Sequence, residues 1–474
     1  MNLHNKVNAA VESATLVAHA WGLSNGPMRA DLLDGLADAL DRERGGLVAL
    51  ADIETHLGPA RLNGELDRTT FQLRAFASQA RSGVLFATID DAAIAGPAPR
   101  GRPHLTRVQL PLGPVAVFSA SNFPFAFSVL GGDSASALAA GCPVVVRAHP
   151  AHVSLSRAVH ELARRVLNSL DLPEGLIGHV DADGYEAGLQ LVGHPGIAAV
   201  AFTGSLAGGQ ALAGEIQMRA RPIPFYGELG SINPVVVMPE ALAQSGADDA
   251  KALAMSITQG AGQFCTSPGL LVMLDTPEAH LFVGQLAQQV DGVDLHAMLS
   301  SRIQAGFDAG VNALENHPEV RVMTRRAAGP VSAGFVGLTS ATAFLEYSDL
   351  RHEVFGACCL CVLADSIEQI CAVLDAVGGS LTVTLWGAQC DNERNHQLLH
   401  AARKIAGRVL FKGVPTGVAV SHAQHHGGPW PASTQPLFTS VGLAATQRFL
   451  RPLALQDAPR WLLERAGIPA SNLS

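Results

Sequence analysis

The run Gln259-Gly260-Ala261-Gly262-Gln263-Phe264-Cys265-Thr266-Ser267-Pro268-Gly269 sets one cysteine among small and polar residues, with no basic residue beside it. Small neighbours let a substrate and a second ligand approach the sulfur closely. Thr266 and Ser267, followed by Pro268 and Gly269, predict a turn or helix start, where backbone N–H groups could stabilise a thiolate. Taken alone, the stretch reads equally as a nucleophile loop and as the surroundings of an ordinary half-buried thiol.

Other residues have types suited to the same chemistry. Asn122 follows the predicted strand Val115–Ser119, and strand C-terminal ends are where α/β folds place ligands. Its side-chain amide can donate to a developing oxyanion, or simply satisfy a local turn. Glu228 stands between Gly227 and Leu229-Gly230. Small and apolar flanks predict burial and a raised pKa, which suits a general base for water; a solvated surface charge is the plain alternative. Phe202-Thr203-Gly204-Ser205, with Gly209 just beyond, has the form of a phosphate turn opening a helix, though a simple connector fits as well. The chain lacks a G-x-G-x-x-G fingerprint. His422, His425 and His426 are close in sequence, but Gly427-Gly428-Pro429-Trp430-Pro431 argues for loop. No cysteine or carboxylate lies nearby in sequence, so no metal site is expected.

These segments lie in one order: Ser121-Asn122-Phe123-Pro124, Phe202–Ser205, Gly227-Glu228-Leu229-Gly230-Ser231-Ile232-Asn233-Pro234, Gly262–Cys265 and Glu353-Val354-Phe355-Gly356. The set resembles the aldehyde dehydrogenase superfamily over roughly residues 6–460. Gly131–Gly141, Gly413–Val418 and His426–Thr434 resemble the branch holding α-ketoglutaric semialdehyde (2,5-dioxopentanoate) dehydrogenases and long-chain fatty aldehyde dehydrogenases. The resemblance implies that Cys265 is the nucleophile, that Asn122 and the Cys265 N–H hold the substrate oxygen, and that Glu228 is the base for deacylation. It implies that Gly204, Ser205 and Gly209 cradle the cofactor pyrophosphate. Glu353 would accept hydrogen bonds from the nicotinamide ribose, with Phe355 in the same cofactor-contacting motif, and His426 would lie near the nicotinamide and the thiol.

Departures from the pattern bear on selectivity. Arg147 stands where lysine is usual, Lys412 where asparagine is expected, and Ser267 where asparagine is common. The chain also starts late relative to its likenesses, which bears on the rim of the cofactor domain. NAD-preferring relatives often carry a glutamate where this chain has Pro150, so no carboxylate would repel a 2′-phosphate. Arg147 adds a guanidinium suited to phosphate, and His149 could assist. The expectation is NADP or NAD, with NADP favoured; the alternative is that Arg147 pairs with local backbone. For the substrate, α-ketoglutaric semialdehyde comes first, with Lys412, Ser267 and His422 as candidate partners for its carboxylate. A long-chain fatty aldehyde comes second, with Phe123, Phe125, Phe127 and Phe264 as candidate tunnel walls. Two readings of other classes stay open: a cofactor-free thiol hydrolase, with His426 as base for Cys265, and a catalytically silent binding protein on this fold. The intact set Asn122, Glu228, Cys265 and Glu353 argues against the last.

The elements that must position these groups follow from pattern and composition. A 474-residue chain predicts two or three domains, and 48 glycines with 48% hydrophobic residues suit an α/β fold with tight connections. A net charge of −9, spread along the chain, argues against a nucleic-acid surface. Seven cysteines without a disulfide framework, an N-terminus without an apolar signal and no long apolar run predict a cytoplasmic protein that does not span a membrane. Residues 6–85 read as helices, and a β-α-β alternation then runs to about residue 219. A second alternation begins near 233, with Val409-Leu410-Phe411 as a last strand. The expected fold is a Rossmann-type cofactor domain (1–98 and 113–230), a second α/β catalytic domain (231–432), and an oligomerisation arm with the C-terminal segment (99–112 and 433–474). Edge strands in such an arm need cover, so a homodimer or homotetramer is expected.

Overall fold

The structure, a computed structural model, describes residues 3–181, 184–325 and 333–465. Four helices open the chain: Leu3–Gly22, Gly26–Arg42, Arg44–Thr55 and Pro59–Arg81. The second begins at Gly26-Pro27 behind the N-cap Asn25, whose side chain accepts from Met28 N–H. It buries Leu32, Leu33, Leu36, Ala37 and Leu40, the residues whose helical spacing marks one apolar face.

A five-stranded parallel sheet follows, in the spatial order Ile177–Val180, Val144–Arg147, Val115–Phe118, Ala199–Thr203, Phe225–Glu228. The first strand in sequence is central, and the order reverses beside it, as in one mononucleotide-binding half of a Rossmann fold. Both faces are covered, because alternate side chains point to opposite sides. Val115, Val117, Val144 and Val146 join the core beneath the N-terminal helices, whereas Ala116, Val145 and Val180 join a second core on the other face. The strand Phe225–Glu228 has no counterpart among the sequence expectations: at four residues, three of them polar or small, it carries little strand signal.

The second sheet has seven strands: Arg321–Val322, Phe335–Ser340, Cys358–Ala364, Leu270–Leu274, Val235–Val237, Ser380–Trp386 and Ala406–Leu410. All neighbours pair in parallel except the short first strand. Here the structure adds elements beyond the sequence reading, namely helix Ser301–Glu315, the strands Arg321–Val322 and Phe335–Ser340, and helix Ala341–Glu346. Helix Pro239–Thr258 runs from strand Val235–Val237 toward the thiol loop.

A three-stranded antiparallel sheet joins Ile89–Asp91, Leu105–Pro111 and Leu450–Gln456. The C-terminal segment is tied back by a buried ion pair, Arg448 Nη2 to Asp133 Oδ1 at 2.7 Å. Asp133 belongs to the Gly131–Gly141 motif, which forms helix Gly132–Ala139. Removing one partner of such a buried pair costs roughly 3–5 kcal/mol. No helix among the described residues is long and apolar enough to cross a membrane.

Candidate active site

The two large sheets meet at the site with opposite ends. Asn122, Gly204-Ser205 and Glu228 lie at or just beyond the C-terminal ends of the five-stranded sheet. Asn233, Cys265 and Glu353 lie just before the N-terminal ends of strands in the seven-stranded sheet.

The thiol loop is a forced conformation. After helix Pro239–Thr258, three consecutive residues take left-handed backbone angles: Gly260 (φ 59), Ala261 (φ 55) and Gly262 (φ 73). At Gly262 a Cβ would fall 2.1 Å from Ala357 N, so glycine lets the loop press against the end of the Glu353–Gly356 motif. Asn233 braces the other side. It is fully buried, and its Nδ2 donates to the carbonyls of Cys265 (2.8 Å) and Ser267 (3.0 Å), while its Oδ1 accepts from Ser231 and Thr382 hydroxyls. Its own φ of 54 is one that asparagine tolerates better than most residues. In the sequence it stands only as one member of the run Gly227–Pro234, with no role assigned.

Asn122 is brought to the loop. Its Nδ2 donates to the Gln263 carbonyl at 2.9 Å, two residues before the thiol. Helix Pro59–Arg81 fixes its segment: Glu65 accepts from Phe125 and Ala126 N–H at 2.7 and 3.0 Å, and Arg61 Nη2 donates to the Asn122 carbonyl at 2.7 Å. Phe264, Phe123 and Phe127 form a chain of ring contacts at 5.3 and 5.5 Å between centroids, making an aromatic wall beside Asn122 and Cys265. Phe125 instead belongs to the core beneath the N-terminal helices.

His426 joins the thiol to the carboxylate. Its Nε2 lies 3.5 Å from Cys265 Sγ and 3.0 Å from Glu228 Oε1. The three donor atoms all lie within 4.8 Å of one another. The contact arises because residues 432–434 run antiparallel to the end of strand Phe225–Glu228, with Leu229 N–H donating to the Ala432 carbonyl and Thr434 N–H to that of Gly227. Ser440 completes the set: its hydroxyl donates to Glu228 Oε2, and its N–H donates to the His426 carbonyl. Sequence spacing carried no signal for Ser440, which is distant from Glu228 along the chain.

The electrostatics follow from this crowding. Glu228 is buried, as expected, but its pKa moves opposite to the sequence expectation. Burial pushes the carboxyl up, yet His426 together with hydrogen bonds from His426, Ser440 and Cys265 overcomes it and holds the pKa below the ordinary value. Cys265 is pushed well above the usual thiol range, first by burial and then by the Glu228 charge, with Arg68 opposing. Both directions favour a neutral thiol beside an ionised carboxylate. Glu353 is pushed up to about 7 by desolvation beside Gly230, against a hydrogen bond from the Ser231 backbone that lowers it. It keeps an open face to solvent, which tempers that push.

The cofactor-side residues lie together in part. Ser205 caps helix Leu206–Gln217, its Oγ accepting from Gly208 N–H at 3.2 Å. The helix N-terminus thus stands at the strand-order reversal, a fit for a pyrophosphate. A Cβ at Gly209 would meet Leu229 at 2.3 Å, so this glycine serves close helix–loop packing. Glu353, Phe355, Ser231 and Ser267 line one cavity, with Gly262 and Phe264 in its wall. Arg147, at the end of its strand, donates to the carbonyls of Ala148 and Gly184, the latter at 2.7 Å. His149 is turned to the backbone, its Nδ1 accepting from Ala151 N–H at 3.1 Å, and burial drives its pKa down to about 3. Pro150 starts a short 3-10 turn and is exposed. The nearest helix start, at Ser154 and Leu155, is capped by Glu54 at 2.9 and 2.8 Å. Lys412 and His422 are exposed, and His425 is only half-buried, so the three histidines do not act as a unit.

The fold and this constellation define an enzyme class, and comparison with known proteins gives the same answer. The chain belongs to the aldehyde dehydrogenase family, whose sequence model matches residues 3–313. It is an NAD(P)-dependent oxidoreductase of that family. It is 42% identical to "Alpha-ketoglutaric semialdehyde dehydrogenase 2" of Azospirillum brasilense, over 94% of this chain and 85% of that protein. It is 37% identical to the "Alpha-ketoglutaric semialdehyde dehydrogenase" of Acinetobacter baylyi, over 97% of this chain and 88% of that one. Among solved structures, an NAD-dependent aldehyde dehydrogenase from Sinorhizobium meliloti superimposes with a TM-score of 0.80, at 22% identity, over 97% of this chain and 89% of that one. That likeness carries the fold.

Proposed function

We propose that this aldehyde dehydrogenase oxidises a short aldehyde bearing a carboxylate, with α-ketoglutaric semialdehyde converted to 2-oxoglutarate as the first choice. The supporting observation is the hydrogen-bonded set Cys265–Glu228–His426 beside Asn122, together with what the two relatives are named for. Cys265 passes its proton to Glu228 or His426, and the sulfur attacks the aldehyde carbon. Asn122 holds the oxyanion of the thiohemiacetal. Gly204, Ser205, Gly209 and Glu353 are the residues that would hold a nicotinamide cofactor, which would supply the hydride acceptor for oxidation of the thiohemiacetal to the thioester. Glu228 then takes a proton from water, which attacks the thioester and frees Cys265.

NADP is proposed to be accepted at least as well as NAD. The support is the absence of a carboxylate at Pro150 and a cation at Arg147, although both terminal nitrogens of that guanidinium are engaged by backbone carbonyls.

The substrate reading is tested by chain-length and charge dependence. Dicarboxylic semialdehydes should show higher kcat/KM than unsubstituted aldehydes of equal length. If decanal outperforms the semialdehydes, the fatty aldehyde reading replaces this one.

A further inference from the structure

Helix Pro59–Arg81 carries two arginines seven residues apart, Arg61 and Arg68, which a helix places on one face. That face looks onto the aromatic wall beside the thiol. Arg61 is engaged through both terminal nitrogens, and only its buried Nε lacks a partner among the described residues. It pairs with Glu65 at 3.0 Å, donates to the Asn122 carbonyl at 2.7 Å, and lies over Phe123 and Phe264 at 4.9 and 5.2 Å.

Arg68 is not engaged in this way. Its Nε and Nη2 are buried, and among the described residues neither finds a hydrogen-bond partner. Its guanidinium carbon lies 5.9 Å from the ring of Phe127, the last member of the wall that begins at Phe264. Phe127 packs with Ala120, Ala126 and Val441 in a small apolar cluster, with Phe123, Val418 and Val420 against it. One turn further along the helix, Gln72 is buried and its Nε2 also lacks a partner among the described residues. The charged groups that act on Arg68 are Cys265, Glu65 and Glu228; burial pulls its pKa down against them, and a guanidinium remains charged regardless. Buried charged donors left without acceptors are strongly unfavourable, so their retention points to an acceptor that arrives from outside. A planar guanidinium matches a carboxylate in particular.

We propose that Arg68 is the anchor for an anionic group at the far end of the aldehyde, with the carbon chain lying along Phe123 and Phe127 and the aldehyde at Cys265. This proposal rests on the carboxylate-bearing substrate reading and supplies its recognition element. It also replaces the earlier candidates, since Lys412 and His422 are exposed and Ser267 shares a cavity with Glu353.

The test compares a semialdehyde with an unsubstituted aldehyde of equal length, in the wild type, Arg68→Met and Arg68→Lys. In Arg68→Met the ratio of the two kcat/KM values should fall by about thirtyfold or more, chiefly through KM for the anionic substrate. Arg68→Lys should recover part of that ratio, because it keeps the charge and loses the fork. An equal loss on both aldehydes would overturn the anchor and leave Arg68 as a counter-charge for Cys265 and Glu228, with the semialdehyde reading intact. A wild type that prefers the unsubstituted aldehyde would overturn both readings together. Should Arg68→Met not fold, glutarate protection of Cys265 against iodoacetamide decides: a protecting concentration raised about fivefold or more in Arg68→Lys supports the anchor, and unchanged protection overturns it.

Discussion

Glu228 accepts a hydrogen bond from His426 Nε2 at 3.0 Å, and both side chains are almost wholly removed from solvent. A single nitrogen cannot donate to the carboxylate and accept the thiol proton at once. As an N–H donor the imidazole favours the ionised form of Glu228. Ser440, bonded to the other carboxylate oxygen, fixes which way that carboxylate faces.

Replacing the carboxylate should change two observables in opposite senses. Glu228→Gln should accumulate the thioester, giving a burst of reduced cofactor followed by slow turnover. The same change removes the charge that raises the Cys265 pKa, so alkylation by iodoacetamide should set in at lower pH than in the wild type. Cys265→Ser should abolish oxidation and keep cofactor affinity. Unchanged steady-state turnover in Glu228→Gln would exclude it as the required base.

The pH profile has a defined sign. The folded-state pKa of Glu228 is depressed below its ordinary 4.5, so its contribution to stability is complete above pH 4.5 and is lost as the pH falls through the folded value. No acid limb of kcat/KM between pH 5 and 6 should belong to this group. Such a limb that disappears in Glu228→Gln would show that the carboxyl is raised after all.

Asn233→Ala should leave the carbonyls of Cys265 and Ser267 without their buried donor. Each lost bond of this kind costs about 1–3 kcal/mol. The expected result is a lower apparent melting temperature and a kcat deficit, because the thiol loop loses its brace. A variant with unaltered melting and kcat would show that the loop is held by Gly262 packing alone.

Cofactor choice separates cleanly by kinetics. NADP should support turnover at least as well as NAD, and Arg147→Ala should reduce kcat/KM for NADP more than for NAD. A wild-type preference for NAD above a hundredfold would refute the first part. Equal losses in Arg147→Ala would assign the guanidinium to its backbone partners at Ala148 and Gly184.

The three-stranded sheet ends in the strand Leu450–Gln456, whose outer edge has no neighbour among the described residues. An uncovered edge invites another strand, so light scattering should give a mass of two or four chains of 49.3 kDa. A stable monomer at micromolar concentration would dismiss this assembly.

The sequence by itself offered the candidate chemistry-bearing residues, because their signal is local, while each window read two ways and the roles came from the family resemblance. Cys265 in a glycine-rich run, Glu228 between small neighbours and Asn122 after an apolar strand are legible as residue types in short windows. The strongly apolar strands Val115–Phe118, Val144–Arg147 and Leu270–Leu274 were legible for the same reason. Phe225–Glu228 was not, since a short strand with mixed residues is chosen by its neighbours rather than by its own pattern. Only the tertiary structure decided the partners. It carried Ser440 and His426 across the chain onto Glu228 and so reversed the pKa expected from burial alone. It left Lys412 and His422 in solvent and placed Arg68, one of many helix arginines in the sequence, against the aromatic wall. A pKa and a binding pocket depend on which groups meet at a few ångströms, and that is fixed by packing between segments far apart in the chain.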